Sequence, residues 1–99
     1  MTTFADYVRT HQDRFLRELQ EVVRIPSVST EPAHAPDVRN AAEWVRNAFL
    51  KLDIPAEILE TAGHPAVLAE LNTNPDAPTI MIYGHYDVQP AQKEDGWDR

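Results

Sequence analysis

Thr79-Ile80-Met81-Ile82-Tyr83-Gly84-His85-Tyr86-Asp87-Val88-Gln89-Pro90 is the stretch whose reading decides the fold. Ile80 to Tyr83 is a short apolar run, β-branched and aromatic, bounded by breakers. That pattern predicts a strand buried on both faces, the kind a parallel sheet uses. Gly84 carries no Cβ and lets the backbone leave the strand. Pro90 stops further pairing. His85 and Asp87 then fall at the carboxyl end of the strand, the edge where open α/β sheets bind ligands.

On an extended backbone, residues two apart face the same way, ~6.6 Å apart along the strand. His85 and Asp87 therefore converge, and Tyr86 turns away into packing. Three chemistries fit such a pair. His85 can bind a metal through one ring nitrogen while Asp87 holds the other, fixing tautomer and orientation. The pair can belong to a hydrolytic triad, although no Gly-x-Ser-x-Gly elbow lies nearby to supply the nucleophile. Or the two residues can simply end a strand, since a His-x-Asp tripeptide arises easily by chance.

Moving back from the strand, Asn72 to Pro78 is a turn-rich connection. Before it, Ala56–Thr61 and Ala66–Asn72 read as two strands around the turn Ala62-Gly63-His64-Pro65. A connection this short makes a hairpin, not a parallel crossover. Asp37–Leu52 carries Val38, Ala41, Ala42, Val45, Phe49 and Leu52 on one side of a helix, with Asp37 as its cap and Trp44 beside the stripe. Thr30–Pro36 is a loop in which His34 is solvated. Thr3–Arg24 reads as one amphipathic helix, with Phe4, Val8, Phe15, Leu19 and Val22 on one face and Thr3 and Asp6 as the start signal. His11 falls on its apolar face as a half-buried residue. Pro26 ends that helix near Ile25. Beyond Pro90 the chain is polar, and Trp97 is read as a loop anchor in preference to a pocket wall.

Composition narrows the function classes. Hydrophobic residues are 42% and charged residues 25%, which predicts a packed core and not a disordered chain. Nine basic residues against sixteen acidic give a net charge of -7, with no basic stripe. Nucleic-acid binding is disfavoured, because phosphate neutralisation supplies most of that affinity. The absence of cysteine excludes disulfides and thiolate metal sites, leaving His and carboxylates as the strong ligands. No signal-peptide pattern opens the chain, and no apolar run approaches the ~18 residues of a membrane span. The expectation is a soluble, cytoplasmic protein with no membrane partner.

A strand covered on both faces needs neighbouring strands and two helical layers. Two helices and one hairpin barely supply these. Residues 1–99 are therefore expected to be the amino-terminal portion of a larger α/β catalytic domain.

Tyr83-Gly84-His85-Tyr86-Asp87-Val88-Gln89-Pro90-Ala91 resembles the first metal-site motif of the co-catalytic zinc metallopeptidases. That family includes carnosine-type dipeptidases, aminoacylases, succinyl-diaminopimelate desuccinylases and glutamate carboxypeptidases. Val23-Arg24-Ile25-Pro26-Ser27-Val28-Ser29 is similar to the segment that follows the family's first helix. Asp95-Gly96-Trp97 is similar to the tryptophan-containing stretch after the site. The order of helix, Pro-Ser loop, helix, hairpin and motif strand is similar too, so the resemblance covers essentially the whole chain.

The resemblance implies the first part of a three-layer α/β/α zinc-peptidase domain, with the rest of that domain and a lid domain absent. It implies that His85 binds one of two zinc ions and that Asp87 is the catalytic aspartate that steers it. Co²⁺ and Mn²⁺ also suit such ligands. A bridging aspartate, a pair of glutamates, a further carboxylate and a final histidine lie later in the family's chains and match nothing before Arg99. The implied reaction is hydrolysis of an amide bond in a dipeptide, with Tyr86, Gln89 and Pro90 most like the dipeptidase branch. Two alternatives stand beside it: an aminoacylase or desuccinylase acting on N-acyl substrates, and a non-catalytic structural or binding module. The implied lid makes a homodimer a further expectation for the full-length protein, and residues 1–99 alone are expected to be inactive.

Overall fold

The computed structural model describes residues 2–97. Two helices, α1 (Phe4–Thr10) and α2 (Gln12–Arg24), open the chain. A 3-10 turn at Pro32–His34 leads into α3 (Ala35–Lys51). The hairpin β1 (Ala56–Leu59) and β2 (Ala66–Ala69) follows, and a 3-10 turn at Lys93–Asp95 lies near the end. Among the described residues, no helix is long and apolar enough to cross a membrane.

The amino-terminal start signal forms as a reciprocal capping box. Thr3 Oγ1 accepts from the Asp6 N–H at 3.1 Å, and the Asp6 carboxylate accepts from the Thr3 N–H at 3.4 Å. The Thr3 hydroxyl and backbone bonds, with Arg9 behind them, hold the Asp6 carboxyl below its ordinary value. The single helix expected over Thr3–Arg24 is interrupted at His11, whose φ of -107° and ψ of 13° leave the helical region. The His11 ring bonds the Tyr7 carbonyl through Nδ1 at 2.9 Å and stacks on the Tyr7 ring with centroids 4.2 Å apart. The Tyr7 carbonyl thus accepts both the His11 N–H, at 3.1 Å, and the ring. His11 is half-buried, as its place on the apolar stripe predicts.

Helix α3 carries the buried core. Val38, Ala41 and Ala42 are buried on it, together with Val28 and Ser27 from the loop after α2. Asp37 lies inside the first turn and is not the cap. Its carboxylate accepts from His34 Nδ1 at 2.8 Å, so His34 is half-buried and paired where a solvated residue was expected. Trp44 Nε1 donates to Glu21 at 3.3 Å and ties α3 to α2. At the far end Asp53 takes φ 59°, a left-handed position that aspartate tolerates better than most residues.

The hairpin is antiparallel, pairing Ala56 with Ala69 and Ile58 with Val67. Those four residues are half-buried and alternate with exposed neighbours, the period-2 signature of a sheet covered on one face. Both strands pack on α3. Arg39 on α3 donates to Glu60 at 2.7 Å just past β1, which holds the Glu60 carboxyl below its ordinary value.

The strand expected over Thr79–Tyr83 does not pair. Ile80, Met81, Ile82 and Tyr83 are 85%, 85%, 92% and 78% exposed, in place of the burial predicted. Strand preference is largely a statement about packing on neighbours, and no other strand of the described residues lies beside this run. Trp97 is likewise 57% exposed and does not anchor its loop. The radius of gyration, 16.4 Å, exceeds the ~13 Å of a compact 100-residue domain. Stability must therefore rest heavily on α3. Val38→Ala should lower the unfolding free energy by about 2 kcal/mol, two lost methyl-sized groups plus a partly relaxed cavity. Urea unfolding followed by circular dichroism measures it.

Candidate functional site

His85 and Asp87 do come together, although the segment leading to them is not a strand. His85 Nδ1 lies 3.6 Å from Asp87 Oδ1. That separation is beyond a hydrogen bond and within ion-pair reach. The His85 side chain is 71% exposed and that of Asp87 38%. The histidine ring meets the Tyr83 ring edge-on, with centroids 5.4 Å apart. Nδ1 is thus the nitrogen turned toward the carboxylate, and Nε2 is the one left for a ligand.

What fixes the pair in space comes from the loop after α2. Val28 and Val88 form an isolated parallel bridge, in which the Val88 N–H donates to the Ser27 carbonyl at 3.0 Å. Ser27 is fully buried, and its hydroxyl donates to the Tyr86 carbonyl at 3.1 Å. These bonds hold the backbone on both sides of Asp87. Ser29 Oγ then donates to Asp87 Oδ2 at 2.5 Å. Tyr86 turns away from the pair, as the alternation predicts, and its hydroxyl donates to the Pro65 carbonyl in the hairpin turn. Burial pushes the Tyr86 phenol above its ordinary value, and the Asp87 carboxylate adds to the rise while Arg39 opposes it.

His64 also takes part. Its Nε2 donates to the Ser29 carbonyl at 2.8 Å, so the hairpin turn braces the loop that holds Asp87. The turn is itself ordered by Thr61, whose hydroxyl accepts from the Gly63 N–H and donates to the His64 carbonyl. Ser27, Ser29 and His64 are the residues that reading the sequence did not connect to the pair. The separation is 58 positions for Ser29 and Asp87, and no local periodicity spans it.

An imidazole beside a carboxylate is a donor set suited to Zn²⁺, Co²⁺ or Mn²⁺. Here it fits one ligand and its orienting partner, not a whole coordination sphere. Among the described residues, no group of three or more His, Cys, Asp or Glu side chains is placed to hold a metal ion.

No protein-family model matches the chain. Individual relatives do. The chain is 38% identical to a Beta-Ala-His dipeptidase of Mus musculus over 106 residues, covering 92% of this chain and 21% of that protein. It is 36% identical to the Cys-Gly metallodipeptidase dug1 of Schizosaccharomyces pombe, covering 87% of this chain and 20% of that protein. Its structure superposes on the dipeptidase Dug1p of Saccharomyces cerevisiae with a TM-score of 0.82 at 27% identity, over 93% of this chain and 22% of the other. The chain thus spans about a fifth of the length of the curated relatives it matches. The α/β arrangement of helices and hairpin is that of part of a peptidase domain. In sequence and in fold, the chain is similar to one section of the metallodipeptidases.

Proposed function

We propose that these residues are one section of a metal-dependent dipeptidase in which His85 binds one of two zinc ions and Asp87 orients it. The single observation that carries the reading is the approach of Asp87 Oδ1 to His85 Nδ1 on a ring otherwise open to solvent. With a carboxylate on the Nδ1 side of the ring, Nε2 is the nitrogen left to meet a metal, and closing the 3.6 Å gap to a hydrogen bond would fix that tautomer. When bound, a pair of zinc ions supplies an activated water and polarises the scissile carbonyl. What this chain itself contributes is one nitrogen ligand, its tautomer and its direction.

The remaining ligands and the proton-transferring base belong to the complete enzyme, outside residues 1–99. A cytoplasmic enzyme acting on small peptides is the reading that best suits the acidic, cysteine-free composition and the dipeptidase relatives. An aminoacylase or desuccinylase is the alternative to test, so the substrate panel includes N-acyl amino acids as well as dipeptides. The purified complete enzyme should hydrolyse β-Ala-His or Cys-Gly, lose that activity to a chelator and regain it with Zn²⁺, Co²⁺ or Mn²⁺. Residues 1–99 alone should bind zinc weakly and turn over nothing, because zinc sites usually take three or four protein ligands. Dipeptide hydrolysis indifferent to chelation would contradict the metal reading, and cleavage of N-acyl amino acids alone would move the enzyme to the aminoacylase branch.

A further inference from the structure

Asp87 can steer His85 only if its own carboxyl is held. The terminal torsion of an aspartate is broad and roughly two-fold, so an unrestrained carboxylate presents either oxygen in many directions. In this structure one oxygen is taken. Ser29 Oγ donates to Oδ2 at 2.5 Å, the length of a charge-assisted O–H···O⁻ bond. Oδ1 is then the oxygen directed at His85 Nδ1.

Ser29 is in turn restrained on both sides. Its carbonyl accepts from His64 Nε2 at 2.8 Å. One residue before it, Val28 is bridged to Val88, and Ser27 is bonded to the Tyr86 carbonyl and the Val88 N–H. The loop and the site segment are therefore coupled by three bonds around a single carboxylate, and the hairpin turn adds a fourth to the loop. A serine serving only to solvate an exposed aspartate would need no such bracing.

We propose that Ser29 is a positioning residue that selects the carboxylate orientation of Asp87, with His64 bracing it through the backbone. The inference rests on the reading of His85 as a metal ligand. It assigns a role in the site to a loop residue far away in sequence, acting through Asp87 and not on substrate.

The test is zinc titration of the complete enzyme by calorimetry, with thermal midpoints measured for every variant. Ser29→Ala should weaken zinc affinity about 10-fold, the low end of the ~10–100-fold range for groups that support a ligating histidine. Ser29→Thr, which keeps the hydroxyl, should restore it. In an Asp87→Ala background, Ser29→Ala should cost nothing more, because the two residues act as one unit. Where Ser29→Ala does not fold, Ser29→Thr and Ser29→Val give the same comparison at matched volume. Unchanged zinc affinity in Ser29→Ala or Ser29→Val overturns the role of Ser29 if His85→Ala still loses zinc. A full additional loss in the Asp87→Ala background overturns it too. If His85→Ala itself binds zinc normally, the failure lies in the metal reading and the Ser29 proposal falls with it.

Discussion

His85→Ala in the complete enzyme should leave one of two zinc positions largely empty and reduce dipeptide hydrolysis by more than the ~10–100-fold that loss of a supporting partner typically costs. The reason is the ligand count. A catalytic zinc normally has three protein ligands and one open position, so if His85 is one of them, its removal takes away a bond that nothing nearby replaces. The described residues around position 85 offer no substitute histidine: His64 is committed to the Ser29 carbonyl and His34 to Asp37. The ring is also 71% exposed in this chain, so its removal should cost little folding stability. The signature is therefore lost metal and lost activity at a nearly unchanged thermal midpoint of the metal-free protein. Zinc content by plasma emission, a dipeptide assay and scanning calorimetry of the metal-free protein measure the three quantities.

Asp87→Ala should produce the second largest effect, and one different in kind. On the proposed reading it leaves the nitrogen ligand in place and removes what orients it. The imidazole is then free to rotate and to change tautomer, which weakens its bond to metal by about 10–100-fold. A weakened site refills by mass action, so excess zinc should partly restore activity to Asp87→Ala and much less to His85→Ala. The loss can exceed the range if Asp87 also acts beside the reacting centre. Ser29 loses its partner in the same variant, with its hydroxyl still able to reach water on the exposed side. Activity measured against added zinc separates the two substitutions: a rising curve for Asp87→Ala and a nearly flat one for His85→Ala. Equal, zinc-insensitive losses would mean that Asp87 does more than hold the ring.

The parts of this molecule that the sequence makes legible are those governed by local rules. The spacing of Val38, Ala41 and Ala42 locates α3 and its buried face within two residues. The alternation around Gly63 and Pro65 locates the hairpin and predicts its antiparallel sense. The i, i+2 relation of His85 and Asp87 predicts their convergence, and it holds without a strand beneath it.

Two kinds of feature were not legible. One is a break within a helix: nothing in the apolar periodicity of Thr3–Arg24 signals that His11 will leave the helical region while its ring bonds back to Tyr7. The other is dependence on partners far away. Ile80 to Tyr83 has the composition of a buried strand, but a strand is stabilised by its neighbours, and the four side chains stand exposed. The same non-locality, with the opposite outcome, built the support of the site. Ser27 and Ser29 lie in a segment whose resemblance to the zinc peptidases was legible, yet their bonds to Tyr86 and Asp87 cross nearly sixty positions. Composition cannot announce such a pairing.

The most direct measurement is crystallographic: anomalous diffraction at the zinc edge from crystals of the complete enzyme. An anomalous peak should lie about 2.0–2.1 Å from His85 Nε2, the usual zinc–nitrogen distance, with Asp87 on the Nδ1 side of the ring. Zinc bound elsewhere, with the His85 ring away from every anomalous peak, would contradict the assignment of this site.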